Sequence, residues 1–176
     1  LAERQTEIDL PMTYGPEDPG RPQVVIDAGH GGRDPGAIGG GVQEKVVVLA
    51  IALRLKELLL EQGNVRIALT REDDRIVTLS QRPEIARQLG ANLFLSIHAD
   101  SAGDLSQVSG ASIYTLSNEA SSEAAARFAA RENNADRLNG ADVEAESDVV
   151  TDMLVELSQG RTQEQSTEFS RLIRRE

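Results

Sequence analysis

The sequence predicts an α/β fold, a largely parallel, twisted sheet flanked by helices. Three short apolar runs, at 23–29, 64–71 and 91–100, have the length and β-branching of strands. Helical patterns fill the intervals between them, and each interval is long enough for a crossover connection. Strand, helix, strand, helix, strand in that order builds a parallel sheet with helices packed on it.

Residues 1–22 carry four of the six prolines and no lasting periodicity, which predicts a linker or an ordered arm. "QVVIDAG" (23–29) reads as a buried strand closed by glycine. From Glu44 to Gln62 the apolar residues recur closely enough to predict a helix buried on more than one face, ended by Gly63 as a C-cap. "NVRIALTR" (64–71) alternates as a strand does. Residues 78–90 predict a second helix, with Pro83 tolerable only in its first turn. "ANLFLSIHAD" (91–100) reads as another buried strand and "GASIYTLS" (110–117) as a further one. Beyond Ser117 no strand pattern returns. Residues 118–139 are rich in Ala and Glu, 143–159 are acidic and amphipathic, and 163–175 are polar and helical.

Composition narrows the chemistry. A chain of 176 residues suffices for one domain with its own core, and aromatics at 3% leave that core to Leu, Ile, Val and Ala. A net charge of -11 argues against nucleic acid as a partner, since phosphate binding needs a basic stripe. The absence of cysteine excludes disulfides and thiolate metal sites. No apolar run approaches the roughly 20 residues of a membrane-spanning helix.

The stretch "DAGHGGRDPGAIGGGVQEK" surrounds one of only two histidines with glycine. A phosphate loop would need Lys-Ser or Lys-Thr after the glycines, and none follows. A dinucleotide fingerprint counted from Gly29 meets Asp34 where its third glycine belongs. Position offers a better reading. His30 follows the first strand and His98 ends "LFLSIH", and the carboxyl ends of parallel strands are where ligands bind. Glu44, at the start of the long helix, can bring a carboxylate to the same edge. Two imidazoles and a carboxylate with one open position form a catalytic zinc set, which makes water nucleophilic near neutral pH and polarises a carbonyl. The glycines then give the backbone clearance around His30. The plainer alternative is that His30 caps a turn and His98 is a satisfied core histidine.

"DAGHGGRDPGAIG…QEK", "LTREDD" and "LSQRPEIARQLGANLFLSIHAD" together resemble the zinc-dependent N-acetylmuramoyl-L-alanine amidases of the amidase-3 type, in order and register over about residues 23–117. The resemblance implies a phosphorylase/hydrolase-like sheet and cleavage of the amide between N-acetylmuramic acid and L-alanine in peptidoglycan. It implies His30, Glu44 and His98 as zinc ligands, with Asp27 and Asp34 orienting the loop or a ligand's second nitrogen and Ser96 helping from its strand. Arg71 and Arg82 match recurring positions, with ion pairing inside the fold as their expected role. The family's general acid/base is a Glu on a later strand, so the expectation is that this residue lies beyond the chain. The amidase domain (23–176) is accordingly expected to be incomplete at its C-terminus.

The last third resembles a narrower group, the periplasmic Gram-negative septum-splitting amidases. In those a helical insertion after the strand matching "SIYTLS" covers the active site until a divisome-linked activator withdraws it. The insertion is expected at about 118–160. On "EASSEAAARFAARENNADRLNG" the residues Ala125, Phe128, Ala129, Glu132 and Ala135 share one helical face. A carboxylate on an apolar docking face is costly to bury without a cation. Glu132 is therefore the expected autoinhibitory plug, with Glu119, Glu123, Glu144 and Glu146 as rivals. A different class of function is a catalytically inactive, zinc-holding module that presents the 118–160 helices to a regulator.

Overall fold

The computed structural model describes residues 8–99, 110–115 and 160–174. Contacts divide the chain into two units, Leu1–Ser101 and Ala102–Glu176. In the first, the elements run β1 (Gln23–Ala28), β2 (Ile38–Gly39), β3 (Val42–Gln43), α1 (Glu44–Gln62), β4 (Arg66–Leu69), α2 (Gln81–Gln88) and β5 (Leu93–Ile97). β4, β1 and β5 form a three-stranded parallel sheet in that order, and β2 and β3 form a separate small hairpin.

β1 lies in the middle, and all six of its residues are buried. The alternation of strand side chains sorts them into two cores. Val24, Ile26 and Ala28 pack with Val48 and Ala52 of α1, whereas Val25 packs with Ala68 of β4 and with Val77, Ile85 and Ala86 on the other face. This follows from strand order. The chain moves outward from β1 to β4 and then back past β1 to β5, so right-handed crossovers put α1 and α2 on opposite faces.

α1 starts at Glu44 and ends where Gly63 adopts φ 66° and closes the last carbonyls of Leu59 and Leu60. Its burial is narrower than its composition suggests. Only Glu44, Val48 and Ala52 are buried, while Val46, Ile51 and Leu58 are exposed. One sheet face covers one stripe of a helix, and four-residue spacing defines that stripe. β5 also departs from expectation: Phe94 and Ser96 are exposed and their neighbours are half-buried. Among the described residues it pairs only with β1, which makes it an edge of the described sheet.

The arm before β1 lies against the sheet. Tyr14 exchanges backbone hydrogen bonds with Ile67 at 2.8 and 2.9 Å, which covers the outer edge of β4. Its hydroxyl donates to Glu72, and Lys56 sits 4.2 Å above its ring.

In the second unit, residues 110–115 form no strand, contrary to expectation, and 111–115 are all exposed. A strand needs a ladder partner, and none pairs with this segment among the described residues. The expected helix near the end is present as α3 (Gly160–Ile173). Glu132 and nearly all of the expected 118–160 insertion, including Glu119, Glu123, Glu144 and Glu146, lie outside the described residues.

Candidate metal centre

Register brings the two histidines together. Ala28 of β1 lies opposite Ile97 of β5, and the amide of Gly29 extends the ladder by donating to the Ile97 carbonyl. His30 and His98 therefore leave adjacent strands at the same edge. Glu44 reaches that edge because the β2–β3 hairpin returns the chain. Its amide donates to the Ala37 carbonyl at 2.8 Å, so the first residue of α1 sits against the end of the glycine loop.

The separations among the three groups decide what they can hold. His30 Nε2 lies 3.1 Å from Glu44 Oε1, His98 Nδ1 lies 3.3 Å from the same oxygen, and the two ring nitrogens are 3.2 Å apart. A tetrahedral ion with bonds of about 2.0–2.1 Å requires an edge of about 3.3 Å between ligand atoms. The triangle is thus one face of such a tetrahedron, and its donors are the nitrogen and oxygen that zinc accepts. The residues present fit a metal ion, with the fourth position left for water or substrate.

Two of the three side chains, His30 and Glu44, are held from behind. His30 Nδ1 is 2.7 Å from Asp34 Oδ2, so the ring keeps that proton and turns Nε2 toward the centre. Asp34 Oδ1 accepts the Gly36 amide at 3.0 Å, fixing the carboxylate that fixes the histidine. Glu44 accepts the Ala99 amide on Oε1 at 2.7 Å and the Ala37 amide on Oε2 at 2.8 Å. Burial alone would push the Glu44 carboxyl up. Hydrogen bonds from His30 and His98, and then from the two amides, outweigh that and hold it far below the ordinary carboxylate range. For Asp34, too, burial is outweighed, here by its bonds to His30 and the Gly36 amide, and its carboxyl is lowered.

Two glycines have a definite task. A Cβ on Gly36, whose φ is 65°, would stand 2.6 Å from His30 Cδ2 and 2.8 Å from Glu44 Oε2. A Cβ on Gly29 would stand 2.3 Å from His98 Cε1. His30 itself has φ 59°, a left-handed conformation that non-glycine residues seldom adopt.

Asp27 has a different task from Asp34. It is buried beneath the loop and accepts from Thr70 Oγ1 at 2.6 Å, Ser96 Oγ at 2.7 Å and Arg82 Nη1 at 2.7 Å. Burial opposes its charge, but Arg82, Thr70 and Ser96 together lower its carboxyl. It therefore braces the strands under the site. Ser96 acts through Asp27. Arg82 pairs with Asp27 and donates on to the Ala28 and His30 carbonyls at 3.0 Å each. Arg71 caps main-chain carbonyls instead of pairing through a carboxylate contact. The reading from sequence missed Thr70, the amides of Ala37 and Ala99, and the Lys45 bonds to the Gly32 carbonyl and Asp74, each at 2.7 Å.

The family model described as N-acetylmuramoyl-L-alanine amidase matches residues 24–174, most of the chain. The chain belongs to this amidase family. Among its relatives, the N-acetylmuramoyl-L-alanine amidase AmiA of Escherichia coli K12 is 42% identical over 145 residues, covering 81% of this chain and 50% of that protein. AmiC of Escherichia coli O6:H1 is 36% identical over 170 residues, 93% of this chain and 40% of that one. Among solved structures, the amidase AmiC2 of Nostoc punctiforme is 49% identical, with a TM-score of 0.46 over 48% of this chain and 47% of that one. The chain spans about half the length, or less, of the curated amidases it matches.

Proposed function

We propose that the chain carries the zinc site of a peptidoglycan amidase that hydrolyses the bond between N-acetylmuramic acid and L-alanine. The observation that carries the proposal is the near-equilateral triangle of His30 Nε2, Glu44 Oε1 and His98 Nδ1, with sides of 3.1 to 3.3 Å, in a member of the amidase family. Zinc held there supplies Lewis acidity toward an amide carbonyl and makes water nucleophilic near neutral pH. The chain's own residues hold and orient that centre. His30 and His98 present ring nitrogens from adjacent strand ends, and Glu44 offers a carboxylate oxygen on an axis set by two amides. Asp34 keeps the His30 proton on the far side of its ring. Asp27, with Ser96, Thr70 and Arg82, keeps the strands beneath from shifting.

The proposal extends to regulation and place. The segment at about 118–160 is proposed to occlude the site through Glu132 until a divisome-linked protein withdraws it, restricting wall cleavage to daughter-cell separation in the periplasm. Among the described residues no helix is long and apolar enough to cross a membrane.

Metal analysis paired with release of dye from labelled peptidoglycan by the full-length protein tests both parts. One zinc per chain, lost together with activity in His30→Ala and His98→Ala, is the expected result, with basal release raised in Glu132→Ala. Zinc content unaffected by either histidine change would end the metal reading. Unchanged basal activity in Glu132→Ala would end the plug. Zinc bound without any release by the full-length protein would favour the inactive, regulator-presenting module.

A further inference from the structure

We propose that Arg71 is a positioning residue for the metal site, its guanidinium tying the residue before one ligand to the residue after another. Nη2 of Arg71 donates to the Gly29 carbonyl at 2.7 Å and to the Lys45 carbonyl at 3.0 Å. Gly29 precedes His30, and Lys45 follows Glu44. One nitrogen thus joins the loop that carries the imidazole to the helix start that carries the carboxylate. The proposal rests on the metal reading of His30, Glu44 and His98 given above.

The remaining donors extend the same tie. Nε donates to the Ala28 carbonyl at 2.9 Å and Nη1 to the Asp73 carbonyl at 3.0 Å. Each of these acceptors is main-chain, and they come from three segments: the end of β1, the first turn of α1 and the turn after β4. The left-handed His30 lies within this arrangement. The carbonyls of Ala28, Gly29 and His30, leading into and including the left-handed residue, accept from Arg71 and Arg82. Arg71 is 1% exposed, and no larger side chain in the described chain is fully buried. A guanidinium fits this place because its planar fork offers five N–H groups in fixed directions. A lysine ammonium, a single point on a flexible stem, cannot span acceptors on three segments.

Charge and geometry make opposite predictions here, which allows the role to be tested. A cation fixed behind a dication site weakens metal binding by repulsion, so removing the charge alone would tighten it. A residue that sets ligand spacing acts the other way, because ligand distances tolerate only about 0.2 Å of error. Zinc affinity is measured by competition with a chromophoric chelator, and site geometry by the visible absorption of bound Co2+, in the full chain. The proteins compared are wild type, Arg71→Lys, Arg71→Met and, as a core control away from the ligands, Val25→Ala.

The expected result is zinc binding weakened at least about tenfold in both arginine variants, as for other partners that hold ligands in place. The Co2+ spectrum should also lose tetrahedral intensity, while Val25→Ala lowers thermal stability and leaves affinity unchanged. A folded Arg71→Lys or Arg71→Met that binds Zn2+ as tightly as wild type, or tighter, overturns the proposal. If neither variant folds, Arg71 is a structural residue and the proposal is likewise overturned. A wild-type chain that takes up no Zn2+ overturns the metal reading itself, and this inference with it.

Discussion

Gly29→Ala separates the metal site from the fold more cleanly than any ligand change. The glycine does not need its freedom of backbone angle, since its φ is not positive, so alanine can adopt the same conformation. The obstacle lies in the space beside it. The added Cβ would stand 2.3 Å from His98 Cε1, 2.6 Å from Nε2 and 2.7 Å from Nδ1, where ordinary contact begins at 3.4 Å. The ring must therefore retreat by about 1 Å, several times the roughly 0.2 Å a metal ligand can absorb. It can do so at small cost to the fold, because the His98 side chain is 14% exposed and has solvent to move into. Stability should fall by no more than about 1–3 kcal/mol, the range for a small overpacking. Zinc affinity should fall by about a hundredfold or more, the upper end of what loss of a ligand's support costs. Chelator competition gives the affinity and a urea melt the stability, both on the same preparation. A Gly29→Ala protein that folds and binds zinc at wild-type affinity would refute the placement of His98 in the triangle.

Other consequences follow from the same contacts. Asp34→Asn should weaken zinc binding by about 10–100-fold, because an amide cannot accept from both His30 Nδ1 and the Gly36 amide; chelator competition measures it. Asp27, Asp34 and Glu44 all have carboxyls lowered in the folded protein. Their contribution is therefore present above the unfolded carboxylate range and is lost as pH falls, from about pH 4.5 downward, which urea midpoints of the metal-free chain will show. Asp27→Asn should cost about 3–5 kcal/mol at pH 7, since it strands the buried Arg82, and should flatten that acid slope in the same melts. Tyr14→Phe removes only the hydroxyl bond to Glu72 and leaves the Lys56 stacking, so its cost should be about 1 kcal/mol by denaturant melt.

What could be read from residues alone was whatever local periodicity and punctuation encode. β1 is a continuous apolar run, and α1 carries its start at Glu44 and its stop at Gly63 in the chain itself. Both histidines sit just past strand ends, so their convergence needed only the topology. The unreadable parts depend on partners distant in sequence. The exposure of β5 and of half of α1 is set by what covers them, which composition does not state. The segment 110–115 has strand composition but no ladder partner among the described residues. The hairpin that returns Glu44 to the site consists of two-residue strands around Gly40 and Gly41, too short to leave a period. The amides of Ala37 and Ala99 carry no side-chain signature at all. Arg71 and Arg82, charged residues that composition would place at the surface, are buried because the inward carbonyls of the His30 loop need donors.

The central claim, that these three side chains form a zinc site, is tested most directly by X-ray absorption at the zinc edge on the zinc-loaded chain. The expected spectrum shows two imidazole nitrogens and one carboxylate oxygen at about 2.0–2.1 Å, with one remaining light-atom position, and loss of one imidazole in His98→Ala. A shell of water oxygens with no imidazole, or a wild-type spectrum unchanged by His98→Ala, would contradict it.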